Sequence, residues 1–223
     1  MTNSSYVELE GAIRSGDGRH VVPDWAERTL DDVAAGRLPI AAVRHPLGFL
    51  CFPVYRDGDD GICVHVWSPD VRVELTTSSI HCHSWDMLSY ILYGTLRNDT
   101  IRLVDDPRAA QYRVFRVQSR PDADEIRATP RLVRCESESI EQYGAGQAYE
   151  LPAGDFHRSL LLESPAATLV LGRRRPGGAD FALAVLGTAT HEVSRKREGD
   201  EVSRDVARVV AKRLAGAVAD EQR

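Results

Sequence analysis

Gly146-Gln-Ala-Tyr-Glu-Leu-Pro152-Ala-Gly154-Asp-Phe-His157 is the stretch whose reading decides the fold, together with His81-Cys82-His83 upstream. Residues i and i+2 of a β-strand point to the same face, so His81 and His83 are able to aim two imidazoles at one point. A tight turn through Pro152 and Gly154 brings His157 toward that point from another strand. Three neutral imidazoles suit a divalent transition metal and leave positions open for water, dioxygen or substrate.

Working outward, the segments around these histidines read as short strands. Phe49–Tyr55 and Ile62–Trp67 flank the turn-rich run Arg56-Asp-Gly-Asp-Asp-Gly61. Further strands are expected at 71–76, 86–95, 99–104, 112–118, 131–137, 147–151, 157–163, 167–173 and 181–186. Such a series, without alternating βαβ units, predicts an all-β sandwich or barrel. Residues 105–130, with Pro107, Pro121 and Pro130, are expected to form a hairpin and a surface loop. Helices are expected at 5–15 and at 23–35, the second starting on Pro23 and ending before Gly36. Residues 190–200 read as a charged linker, and 201–218 as an amphipathic helix. The expected division is therefore an N-terminal helical extension (1–46), a β-domain (47–189), and a linker with a C-terminal helix (190–223).

The two histidine stretches resemble the motifs of the cupin superfamily. Its second motif is Gly, five residues, Pro-x-Gly, two residues, His, and residues 146–157 match every spaced position. The Asn usual after that His is absent, Ser159-Leu160-Leu161 standing there instead. In the first motif His81, His83 and Gly94 match, Leu75 replaces the leading Gly, and Met87 occupies the slot of the usual Glu ligand. Asp86 is one residue off that slot and is carried as a fourth ligand candidate. The resemblance covers roughly residues 62–187. It implies a cupin-type antiparallel β-barrel (a double-stranded β-helix or jelly roll). It also implies a three-histidine metal centre, as in the thiol-dioxygenase-like branch.

If no bulge intervenes, Trp85, Met87, Ser89, Ile91 and Tyr93 share the inward face with the ligands, and Asp86 faces outward. Tyr93, Arg97, Tyr149 and Arg158 are the other pocket candidates. An arginine there would clamp a carboxylate or phosphate. His65 reads as a core or pocket histidine, and His20, His45 and His191 as surface or loop residues. Cys51 and Cys63 read as inert core thiols, while Cys82 points away from the metal. Cys135 is the fourth cysteine, and no Cys-x-x-Cys pair occurs.

Composition narrows the function classes. The net charge of −5 provides no basic field for nucleic acid or an anionic membrane. No apolar run approaches the roughly 20 residues that span a bilayer. Met1-Thr-Asn-Ser-Ser5 lacks a basic-then-apolar leader, so a cytoplasmic location is expected. The resemblance implies a mononuclear non-haem Fe(II) dioxygenase or oxidoreductase acting on a small polar or anionic molecule. Zn(II), Mn(II) and Ni(II) are the other metals weighed. The alternatives are a redox-silent isomerase or lyase, or a non-catalytic small-ligand binder. Cupins commonly dimerise, so a homodimer is the assembly to test.

Overall fold

In the computed structural model, residues 3–221 are described apart from 70, 72, 73 and 121. Helices α1 (Asn3–Ser15) and α2 (Gly18–Ala34) precede eleven strands. These are β1 (Val43–Arg44), β2 (Leu50–Asp57), β3 (Asp60–Trp67), β4 (His81–Cys82), β5 (Trp85–Asp105) and β6 (Tyr112–Ser119). They continue as β7 (Ala123–Gly144), β8 (Ala148–Leu151), β9 (Phe156–Arg174), β10 (Asp180–Val185) and β11 (His191–Ser194). Helix α3 (Asp200–Glu221) closes the chain.

Every ladder is antiparallel, and the pairing path runs β1-β2-β3-β9-β4-β10-β6-β7-β5-β8. A further ladder between the long strands β5 and β9 closes the β9-β4-β10-β6-β7-β5 part of that path into a ring, from which β3-β2-β1 and β8 branch. Closure leaves the strands of the ring with partners on both sides, as a barrel requires. The all-β architecture with flanking helices is the one expected.

Strand alternation separates two cores. Phe52, Ile62, Val64, Leu88, Tyr90, Leu169 and Leu171 face the helices and pack with Leu9, Trp25, Leu30, Val210 and Leu214. The opposite face of the same strands, through Met87, Ile91, Leu96, Tyr149 and Val170, lines the interior of the barrel.

Four elements differ from expectation. Helix α2 starts five residues before Pro23 and carries that proline inside it. Burial of Gly18 and Val22 draws the preceding turn into the helix, outweighing the one backbone donor that Pro23 lacks. No strand forms at Val71 or Glu74–Thr76, and Arg72 and Val73 lie outside the described residues. Strand β7 begins at Ala123, because Ser119 pairs with Asp124 in a long hairpin with β6. The expected linker contains β11, which pairs with β7 from His191↔Ile126 to Ser194↔Ala123.

Gly94 lies where β5 bends away from β9. Its φ is +79°, and a Cβ there would stand 2.5 Å from Ala166 Cβ and 2.8 Å from Pro165 O. Both the left-handed backbone and the close approach require glycine. Gly94→Ala is expected to destabilise the protein by about 2–3 kcal/mol in urea unfolding. A loss under about 0.5 kcal/mol would show that the bend relaxes freely.

Candidate metal centre

The bend also decides which side chains reach the interior. From Trp85 to Ser89 strict alternation holds, and Trp85, Met87 and Ser89 line the cavity. A register shift between Ile91 and Tyr93 then inserts one extra residue. Tyr93 is thereby turned to the helix side, where it is buried with Leu92 and its ring lies 4.8 Å under the Arg213 guanidinium. Burial pushes its phenol up to about 12, with Arg213 acting weakly the other way. Tyr93 is therefore not a cavity residue, and its candidacy is corrected.

Beyond the bend, Asn98 turns inward. Its Oδ1 lies 2.8 Å from His157 Nδ1. His157 sits beside β4, paired with His81, and is 2% exposed. The ligand atoms of His81, His83 and His157 all lie within 4.8 Å of one another. His81 Nδ1 is 2.9 Å from Ser79 O. Each of these oxygens accepts a hydrogen bond from the Nδ1–H, which leaves the Nε2 lone pair of His81 and of His157 free.

The cluster fits one metal ion. Two nitrogens about 2.1 Å from an ion and a tetrahedral angle apart are separated by about 3.4 Å. Nε2 of His83 and Nε2 of His157 are 3.3 Å apart. Burial, then the neighbouring imidazoles, hold His83 and His157 well below the usual histidine range. Burial also lowers His81, partly opposed by the hydrogen bond to Ser79. Neutral imidazole is the form that ligates.

Asp86 stands apart from the cluster. Its Oδ1 accepts a hydrogen bond from Ala153 N at 3.0 Å, and its Oδ2 receives the Arg175 guanidinium. Those bonds, that of Arg175 first, hold its carboxyl below the usual range. Alternation places it on the outer side of β5, so the fourth-ligand candidacy is corrected. Its contact is with the Pro152–Gly154 turn, and Gly154 N donates to His83 O at 2.9 Å. The turn that delivers His157 is thus pinned to the backbone of His83, between β4 and β5.

Arg97 is corrected too. It forms a bidentate pair with Asp99 at 2.7 and 2.8 Å, and Arg158 donates to the same carboxylate at 2.8 Å. Neither arginine lines the cavity. Asp99 is fully buried; burial pushes its carboxyl up, but the two arginines outweigh that and keep it below the usual range. Tyr149 does line the cavity, stacked on Tyr143 at 4.7 Å.

Sequence reasoning missed several cavity residues. His45, expected on the surface, stacks on Phe49 at 4.3 Å and 8°, and Phe49 in turn packs on His65 at 4.5 Å. Cys51 and Cys63, expected in the core, face the same space. The same-face alternation of Cys63, His65 and Trp67 was the available signal. The cavity measures about 510 Å³, and Arg56 and Arg174 contribute to its lining. Neither has a carboxylate within 4.0 Å among the described residues.

Asn98→Ala is expected to lower metal affinity about 10–100-fold, because His157 loses the bond that fixes its tautomer. A metal titration of the purified variant checks this, and unchanged affinity would show that Asn98 does not orient the ring.

No protein-family profile matches the sequence, and no curated protein matches it at a significant level. Solved structures are similar over about half of the chain. Hydroquinone 1,2-dioxygenase from Sphingomonas sp. TTNP3, with 4-hydroxybenzoate bound, is 14% identical over 55% of this chain and 64% of its own, with a TM-score of 0.35. E. coli ycfD is 18% identical over 53% of this chain, with a TM-score of 0.33. This chain spans only 26% of the E. coli protein's length. A cupin-2 domain protein from Shewanella frigidimarina NCIMB 400 is 13% identical over 56% of this chain and 79% of its own, with a TM-score of 0.31. No helix among the described residues is long and apolar enough to cross a membrane. The closed antiparallel ring carries the stretch 146–157 and brings His81, His83 and His157 together in one three-histidine cluster.

Proposed function

We propose that this chain is a mononuclear non-haem iron oxidoreductase of the cupin type, acting on a small anionic molecule with dioxygen as co-substrate. The observation that carries the reading is the convergence of three neutral imidazoles, with no carboxylate in the cluster, inside a cavity of about 510 Å³. Ferrous iron held by His81, His83 and His157 would supply the one-electron and dioxygen chemistry that side chains lack.

The chain's own residues account for binding and orientation. Ser79 and Asn98 set the ring tautomers of His81 and His157. A ligand set without negative charge leaves the ion's charge uncompensated, which favours an anionic substrate. Arg56 and Arg174, both exposed, draw such a substrate inward. Trp85, Met87, Leu96 and Val170 form an apolar wall that keeps bulk water out. Burial pushes the Tyr149 phenol above its ordinary value, so at neutral pH it stays protonated and serves as a hydrogen-bond donor to bound substrate.

The test begins with elemental analysis of untagged protein. Apo-protein is then loaded anaerobically with ferrous iron, and oxygen uptake is followed with small amino and hydroxy acids. Substrate-dependent oxygen consumption is the expected result. Turnover of the same substrate by zinc-loaded protein without oxygen would replace this reading with a redox-silent isomerase or lyase.

A further inference from the structure

A second donor cluster sits on the β2–β3 wall of the same cavity. Cys51 and His65 are directly opposed across the two strands, and Cys63 lies two residues before His65 on the same face. Sγ of Cys51, Sγ of Cys63 and a ring nitrogen of His65 all lie within 4.8 Å of one another. As in the histidine cluster, residues i and i+2 are completed by a residue of a neighbouring strand. All three side chains line the cavity and none is packed away in the helix-side core.

The donor set, two sulfurs and one imidazole, differs in kind from three imidazoles. Thiolates with imidazole select a thiophilic ion such as zinc(II), which ligates them at about 2.3 and 2.0–2.1 Å. Three atoms that span at most 4.8 Å can close around one such ion with small rotamer changes.

We propose that Cys51, Cys63 and His65 form a second metal site, specific for zinc(II), independent of the three-histidine centre and sharing its cavity. A fourth position faces that cavity and would be filled by water or by an anionic group of a ligand.

The test uses the full chain, reduced and handled without oxygen. Zinc and cobalt(II) stoichiometries are measured for the wild type, for His81→Ala/His83→Ala/His157→Ala, for Cys51→Ser/Cys63→Ser, and for His65→Gln. Near-ultraviolet dichroism of each variant confirms that it is folded. The triple-histidine variant is expected to keep one ion per chain, and its cobalt form to show thiolate-to-metal charge-transfer absorption. The double-cysteine variant should lose that band, and His65→Gln, which keeps both thiols, should weaken it. Wild type should bind two ions. One ion in the wild type, retained with its thiolate band by the triple-histidine variant, would refute the histidine centre and leave this site standing. The proposal is overturned if the triple-histidine variant binds no ion, or if its cobalt spectrum carries no thiolate band. It is likewise overturned if thiol titration finds Cys51 and Cys63 joined as a disulfide in the reduced preparation.

Discussion

Replacing His157 with alanine is expected to abolish metal binding at the three-histidine centre, with affinity falling by well over about 100-fold. That figure is the ceiling for losing a mere orienting contact, and His157 is proposed as a direct ligand. Two further costs follow. His83 loses the nitrogen that faces it at 3.3 Å, and Asn98, buried beside it, loses its partner. Metal titration of the variant, with oxygen uptake as the second readout, checks the result. Retention of full stoichiometry at near-native affinity, with the second donor cluster disabled by Cys51→Ser/Cys63→Ser, would refute the ligand assignment.

Acid is expected to destabilise the metal-free protein steeply below about pH 6.5. His45, His81, His83 and His157 are all held below the usual histidine range, burial being the first cause in each. In the unfolded chain these groups take up protons as pH falls through about 6.5. In the folded chain they do not, so the unfolded state binds more protons and stability is lost as pH drops. It is fully present above the unfolded value and declines until the folded values are reached. Each proton contributes about 1.4 kcal/mol per pH unit, so four together give about 5 kcal/mol per unit at the steepest. Urea midpoints at pH 7.5, 6.5 and 5.5 measure the slope. A flat profile would show that the cluster is already charged in the folded protein.

The histidine cluster was legible because it depends on local rules. Same-face spacing at His81 and His83 needs only a strand, and the Pro152–Gly154 turn needs only its own residues. Asp86 shows both the strength and the limit of this logic. Alternation placed it outward, while its type alone made it a ligand candidate. Tyr93 was misplaced because the extra residue at the Ile91/Tyr93 shift is set by how β5 bends over β9, a contact between segments some 70 residues apart. Arg97 was assigned by charge, but the buried Asp99 two residues on is its partner. The two cavity cysteines were missed because which face of β2 and β3 looks inward depends on the helices, and His45, in the loop before β2, because it is drawn in by stacking on Phe49. Leu9, Trp25 and Leu214 claim the other face. Helix α2 overran its expected start for the same kind of reason, tertiary burial outweighing a local terminator.

The pairing of Asp99 with Arg158 has one more consequence, for the fidelity of folding. Each is the immediate chain neighbour of a residue in the metal centre, Asp99 beside Asn98 and Arg158 beside His157. If β5 and β9 zipped together one residue out of step, every side chain would change faces. His157 would leave the interior and Arg158 would enter it, carrying an unneutralised charge into an apolar space. In the correct alignment the same arginine meets a fully buried carboxylate. The ion pair therefore acts as a ratchet on the longest ladder of the barrel, rewarding one alignment and penalising its nearest competitors. A cluster built from residues 74 positions apart, His83 and His157, relies on that discrimination each time the chain folds.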